Sequence, residues 1–289
     1  MKENPQTLKQ CIDLGAKYLE HNKVENPFVA AELLAARLYA CGRLELYRHT
    51  DLLPEKRVLD AMRRGLQRVA GGEPIQYVLG QWDFRDLTLK IDKRALIPRP
   101  ETEQLVEVVL QSAQLNDCDK PLVVDVGTGS GCIILSLAKA LNKGVFVGID
   151  VSQEALSLAQ ENAVLVGLAD RVHFALSDGC GEFDPGSVDV LVSNPPYIPS
   201  RVVDGLERKI LEHEPRQALD GGADGLDIYR SLVFDAVMVV RSGGAVFFEI
   251  GDEQGVAITE LLEEFGFTDV EIIKDYAGKD RFAVAVQGA

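Results

Sequence analysis

Leu122-Val123-Val124-Asp125-Val126-Gly127-Thr128-Gly129-Ser130-Gly131 is a short apolar run that breaks into alternating glycines. A buried strand followed at once by a glycine-rich turn, and then by the apolar segment Ser130–Leu141, predicts a strand–loop–helix unit. Glycine lets the chain turn sharply and admits a ligand close to the main chain. In an open α/β sheet such a turn lies at the carboxyl end of a strand, where ligands bind. A tight strand–helix turn with no ligand has the same pattern, so the loop alone does not fix a function.

Working outward, short apolar strands alternate with helical periods. Strands are expected at Val145–Asp150, Val172–Leu176, Val188–Ser193, Gly244–Ile250, Asp269–Lys274 and Arg281–Val286. Helices are expected near Gln153–Val166, Ile228–Val240 and Gln254–Phe265. The alternation predicts a seven-stranded, mostly parallel sheet covered on both faces. Only Tyr276-Ala277-Gly278-Lys279-Asp280 separates the last two strands, too little for a crossover helix, so that pair should be antiparallel.

Upstream the pattern is helical. Leu8, Cys11, Ile12, Gly15, Tyr18 and Leu19 share one helical face. Asn26-Pro27 reads as a cap and first turn of a second helix that carries Leu33, Leu34 and Leu38 and stops at Gly42. A third starts near Pro54, turns Val58, Leu59, Met62, Leu66 and Val69 inward, and ends at Gly71-Gly72. Trp82–Ile91 alternates around a short turn and reads as a β-hairpin. Ile97-Pro98-Arg99-Pro100 stays extended before a helix from about Glu101 to Leu115. The expected organisation is an N-terminal helical domain (1–73), a hairpin linker (74–98) and the main α/β domain (99–289).

Composition narrows the class. The 289 residues are 46% hydrophobic and 26% charged, which suits a globular protein with a substantial core. No apolar run approaches a membrane span, and the polar start Met1-Lys2-Glu3-Asn4-Pro5 lacks a signal-peptide core, so a cytoplasmic location is expected. The five cysteines are scattered with no C-x-x-C pair, against a disulfide framework or zinc site. A net charge of −15 disfavours a phosphate backbone as partner, so no stable nucleic-acid binding is expected.

Asp150 ends the second strand of the sheet 19 residues after Gly131, where an acid can accept both hydroxyls of a ribose; it can equally cap the helix that follows. The spacing is G-x-G-x-G, with Asp125 two residues before the first glycine. A carboxylate there would repel a pyrophosphate and attract the ammonium of a methionine moiety. S-adenosylmethionine is therefore favoured over a dinucleotide, with Asp125, Gly127, Thr128, Gly129, Ser130, Gly131 and Asp150 around it. Ser177 and Asp178 either meet the adenine or form a solvated loop.

Ser193-Asn194-Pro195-Pro196-Tyr197-Ile198 ends the fourth strand. Adjacent prolines have no N–H, so the local backbone offers acceptors, and the Asn194 amide oxygen adds one. Such an array can hold both hydrogens of a substrate –NH₂ and aim its lone pair at an incoming methyl group. An amide nitrogen is a weak nucleophile, so orientation and fixed dipoles must supply the rate. Tyr197 is expected to stack on the flat substrate group. Glu249 either lines the pocket or is a structural acid. No metal cluster or nucleophile triad is visible; His21, His49, His173 and His213 are dispersed.

Over nearly its whole length the chain resembles the HemK family, protein-(glutamine-N5) methyltransferases of peptide-chain release factors. The resemblance is carried by Gly72-Glu73-Pro74-Ile75-Gln76-Tyr77, Leu96–Glu103, Asp125–Gly131, Ser193–Ile198, Asp224–Tyr229, Glu249-Ile250-Gly251 and Lys274–Arg281. It implies methyl transfer from S-adenosylmethionine to the glutamine of a Gly-Gly-Gln loop, leaving S-adenosylhomocysteine. It also implies a small N-terminal helical domain, a β-hairpin and a Rossmann-like domain. The helical domain is expected to dock the protein substrate, the alternative being that it only stabilises the fold. By position, Gly127 to Gly131 would surround the methionine part and Asp150 the ribose. Asn194, Pro195, Pro196 and Tyr197 would form the substrate-amide pocket. Gly179 departs from the bulky residue found in many members and leaves the adenine stack open. Asn-Pro-Pro-Tyr also occurs in adenine-N6 methyltransferases of DNA. That activity, a ribosomal-protein glutamine as acceptor and a noncatalytic cofactor-binding module are the alternatives.

Overall fold

The computed structural model describes residues 7–116, 118–206 and 208–288. It divides into two compact units, Met1–Gln81 with Arg208–His213, and Trp82–Glu207 with Glu214–Ala289. Among the described residues no helix is long and apolar enough to cross a membrane.

The smaller unit packs α1 (Leu8–His21), α2 (Pro27–Leu38), α3 (Lys56–Ala70) and the short α4 (Ile75–Leu79) around one core. A capping box starts α1. The Thr7 hydroxyl accepts the Gln10 N–H at 3.3 Å and the Gln10 side chain accepts the Thr7 N–H at 3.2 Å. The apolar stripe of α1 buries Leu8, Cys11, Ile12 and Leu19 as its spacing predicts. Asn26 stands before α2 but makes no capping bond; its backbone is left-handed, and Pro27 alone sets the first turn. That helix ends at Leu38, ahead of Gly42, because the chain turns left-handed at Ala40. The short α4 lies in a stretch with too few residues to show a period.

The larger unit opens with the hairpin β1 (Gln81–Phe84) and β2 (Leu87–Lys90), then α5 (Pro100–Gln111) and α6 (Ala113–Asn116). The sheet is built from β3 (Leu122–Val126), β4 (Val145–Asp150), β5 (Val172–Leu176), β6 (Val188–Ser193), β7 (Val240–Glu249), β8 (Phe267–Lys274) and β9 (Asp280–Gln287). The helices between these strands are α7 (Cys132–Ala140), α8 (Gln153–Leu165), α9 (Ser200–Val203), α11 (Asp227–Val239) and α12 (Gly255–Glu264); α10 (Arg208–His213) clusters with the smaller unit. The strand order is β5-β4-β3-β6-β7-β9-β8, parallel through β7 and antiparallel at both borders of β9.

The strands explain their own places. Every residue of β6 is buried, Asp189 included, which matches its place in mid-sheet. The first residues of β7 precede the expected start at Gly244, since Val240 already pairs with Val188 across a bulge. Asn162 on α8 ties the hairpin to the glycine loop. Its oxygen accepts the Lys90 N–H at 2.7 Å, and its amide nitrogen donates to the Lys90 carbonyl at 3.1 Å and the Ser130 carbonyl at 2.9 Å. A fully buried amide with all these bonds made is a rigid strut.

Candidate active site

A cavity of about 290 Å³ opens in the larger unit at the carboxyl ends of β3, β4 and β6. This is the crevice that the order of a parallel sheet leaves open. Gly127, Thr128, Gly129 and Ser130 form one wall, Asp150, Val151 and Asp178 a second, and Asn194, Pro195 and Pro196 a third. Ile97 to Arg99, Thr102, Gln217 and Leu232 complete the lining.

The glycine loop is anchored where β4 ends. The N–H groups of Gly127 and Thr128 both donate to the Ile149 carbonyl at 2.9 Å. Gly127 has a φ of 72°, and a side chain there would project into open space with nothing within 4 Å. The bare backbone therefore faces the cavity, which is what close approach of a ligand requires. Gly131 does not line the cavity. A Cβ there would stand 3.1 Å from Leu135 and 3.3 Å from Ala159, so this glycine lets α7 and α8 pack together.

Asp125 lies beneath the loop and is fully buried. The Thr128 hydroxyl donates to its Oδ2 at 2.7 Å, while Oδ1 has no hydrogen-bond partner. Burial pushes its carboxyl up to about 7, against the Thr128 bond and with the help of the Asp150 charge. It is not among the residues that line the cavity, although its place before the glycines suggests a direct contact with an ammonium.

Asp150 ends β4 and lines the cavity. Its Oδ2 accepts the Gly129 N–H at 2.9 Å and its Oδ1 accepts the Ser152 N–H at 2.8 Å. Both oxygens are thereby aimed, and each keeps lone pairs for a further donor. Burial raises its pKa, and the backbone N–H groups draw it back. Ser152, not Asp150, caps α8, accepting the Ala155 N–H at 3.2 Å. Asp178 lines the cavity and Gly179 does not. The Asp235 carboxylate occupies the space that a side chain on Gly179 would take, and accepts the Cys180 N–H at 3.0 Å. The fit to a ribose-bearing cofactor thus rests on a paired-acceptor acid, a bare glycine wall and the apolar Val151 and Leu232 in one cavity.

The third wall is held from behind. Asn194 Nδ2 donates to Thr102 Oγ1 at 3.0 Å, and Thr102 Oγ1 donates to Glu249 Oε2 at 2.7 Å. Thr102 and Glu249 are buried, and Glu249 lies behind the cavity, not on it. Tyr197 is also off the lining. Its ring packs on the core that holds Tyr229, its hydroxyl stands 3.5 Å from Glu249 Oε1, and its carbonyl accepts Gln254 Nε2 at 3.1 Å. The expected stacking of this ring on a substrate group would be made from a turn whose carbonyl Gln254 holds. Arg99 and Thr102 come from the extended Ile97–Pro100 segment and the helix after it. Nη2 of Arg99 donates to both oxygens of Glu214 at 2.7 and 2.8 Å. In sequence the signal for Thr102 was a hydroxyl on the same buried stripe as Leu105, Val106 and Val109.

Burial raises the Glu249 carboxyl from its usual 4.5 to about 7, outweighing Thr102 and Arg281, which lower it. The unfolded chain ionises this group first, so the folded form holds the extra proton between about pH 4.5 and about 7. Stability from Glu249 therefore falls as pH rises through that window, by on the order of 3 kcal/mol. Glu249→Gln should flatten the fall and overtake the parent above pH 7. Urea unfolding at pH 5 and pH 8 measures it; an equal gap between variant and parent at both pH values would refute it.

Two family models match the chain, "PrmC N-terminal domain" over residues 10–80 and "Methyltransferase small domain" over residues 102–223. The release factor glutamine methyltransferase of Moorella thermoacetica is 39% identical, covering 96% of this chain and 98% of its own. That of Caulobacter vibrioides is also 39% identical, covering 97% of this chain and 96% of its own. Among solved structures, the hMettl16 catalytic domain in complex with the MAT2A 3′UTR hairpin 6 aligns with a TM-score of 0.55 at 17% identity. It covers 80% of this chain and 82% of that one, a likeness of fold alone. With such identity sustained across both whole sequences, the chain belongs to the family of release factor glutamine methyltransferases.

Proposed function

We propose that this chain transfers a methyl group from S-adenosylmethionine to the side-chain amide nitrogen of the glutamine in the Gly-Gly-Gln motif of peptide-chain release factors. The observation that carries this is the meeting of Asp150 and Asn194-Pro195-Pro196 on one cavity, an acid for a ribose facing an acceptor array for an –NH₂. Bound there, the cofactor supplies an electrophilic methyl on sulfur and departs as S-adenosylhomocysteine.

Asp150 accepts the two ribose hydroxyls with the lone pairs left by Gly129 and Ser152. Val151 and Leu232, which line the same cavity, would flank the adenine in place of a side chain at Gly179, and Asp178 would accept from its exocyclic amine. Asn194 Oδ1 and the Pro195 carbonyl accept the two hydrogens of the glutamine amide, which turns its nitrogen lone pair toward the methyl. Pro196 gives the flat amide an apolar surface. Tyr197 keeps the turn in place from the core side. As the new N–C bond forms, the acceptors stabilise the positive charge growing on the N–H groups. The extra proton then passes to water.

The smaller unit leaves Leu44, Tyr47 and Leu53 exposed, an apolar surface suited to the protein substrate. A radiolabelled transfer assay tests the whole reading. Label should enter a release factor with Gly-Gly-Gln and not its Gln→Ala form, and Leu44→Asp with Leu53→Asp should raise KM for the release factor only. Label on a ribosomal protein or on DNA, and none on the release factor, would overturn the acceptor.

A further inference from the structure

We propose that Thr102 is a positioning residue that fixes which end of the Asn194 amide faces the substrate. The inference rests on the reading of Asn194 as the acceptor for the substrate –NH₂.

It follows from counting protons. The Thr102 hydroxyl has one hydrogen, and it stands between Glu249 Oε2 at 2.7 Å and the Asn194 amide at 3.0 Å. Above about pH 7 the Glu249 carboxylate is ionised and acceptor-only, so the hydrogen goes to Glu249. Thr102 Oγ1 is left with lone pairs alone on its other side, and only an N–H can satisfy them. The Asn194 Nδ2 must therefore turn toward Thr102, and Oδ1 must turn away from it. A free asparagine amide has no such preference, since its two ends are nearly the same size. Reversed, it would set its own N–H groups against those of the substrate, and the array that holds the glutamine would repel it.

Around this relay, Tyr229 donates to the Glu249 carbonyl at 2.6 Å and so fixes the backbone that bears the carboxylate. Arg281 donates to the neighbouring Ile250 carbonyl at 3.1 Å, and its charge favours ionised Glu249. Thr102 is 2% exposed, so water does not substitute for it.

The experiment is done on the full chain at pH 8.5 with saturating S-adenosylmethionine and a Gly-Gly-Gln release factor. Thr102→Val should lower kcat by about 10²-fold. The KM for cofactor should stay within about twofold, and Thr102→Ser should restore most of kcat. Because Thr102 acts through Asn194, adding Thr102→Val to Asn194→Ala should cost nothing further. A Thr102→Val kcat within threefold of the parent, a Thr102→Ser variant as poor as Thr102→Val, or additive losses in the double variant would each overturn the relay. If Thr102→Val does not fold, Thr102→Ala against Thr102→Ser makes the same comparison. If the parent binds cofactor yet labels no glutamine, the acceptor assignment fails, and side-chain NMR then decides the relay. One Asn194 amide proton should be protected from exchange in the parent and in Thr102→Ser but not in Thr102→Val; equal exchange in all three would refute it.

Discussion

Asn194→Ala should lower kcat for glutamine methylation by about 10²–10³-fold while leaving cofactor affinity within a few-fold of the parent. The side chain lines the cavity and its nitrogen is already spent on Thr102, so what the substrate loses is an oriented oxygen. That oxygen matters most when the amide nitrogen is surrendering its lone pair and its N–H groups gain charge. An interaction that strengthens toward the transition state appears in kcat more than in KM. Single-turnover transfer with calorimetric cofactor binding separates the two. Loss of binding in proportion to loss of rate would move Asn194 from the reacting end to the cofactor.

Asp150→Asn should have the complementary effect, raising the cofactor Kd by about 10²-fold, as expected for losing charge-assisted bonds of roughly 1.5–3 kcal/mol each. One oxygen of Asp150 holds Gly129 and the other Ser152, so an asparagine must set an –NH₂ against one of two backbone donors. The glycine loop loses its anchor together with the ribose. At saturating cofactor the rate should return to within a few-fold of the parent. Titration calorimetry showing a Kd within threefold would remove Asp150 from the cofactor site. Since burial raises the Asp150 pKa, affinity in the parent should also decline as pH falls through that raised value.

What could be read from the sequence was what is local. Strand β6 announces itself by Val188, Val190, Leu191 and Val192 within six residues, and Asp150 by closing a strand at a fixed distance from the glycines. Asn194 was visible because two prolines isolate it from the regular ladder. What supports these residues was not visible. Thr102 and Asn194 are 92 residues apart, and no pattern in either segment encodes the other. The places of Asp125, Gly131 and Tyr197 depended on which way a turn points, a property of neighbours such as Ala159 and Gln254 and not of the motif. The obstruction at Gly179 is likewise set by Asp235 on α11, 56 residues further along the chain.

The position of β9 has a consequence for how the enzyme comes into being. It is the last strand of the sheet to leave the ribosome, yet it is inserted between β7 and β8, which precede it. Arg281 and Phe282 then pair with the segment that bears Glu249, through Ile250 N–H to the Arg281 carbonyl and Phe282 opposite Glu249. Until that strand arrives, the carboxylate behind Asn194 has no fixed backbone on one side. A nascent chain therefore carries its glycine loop long before it carries the strand that flanks Glu249.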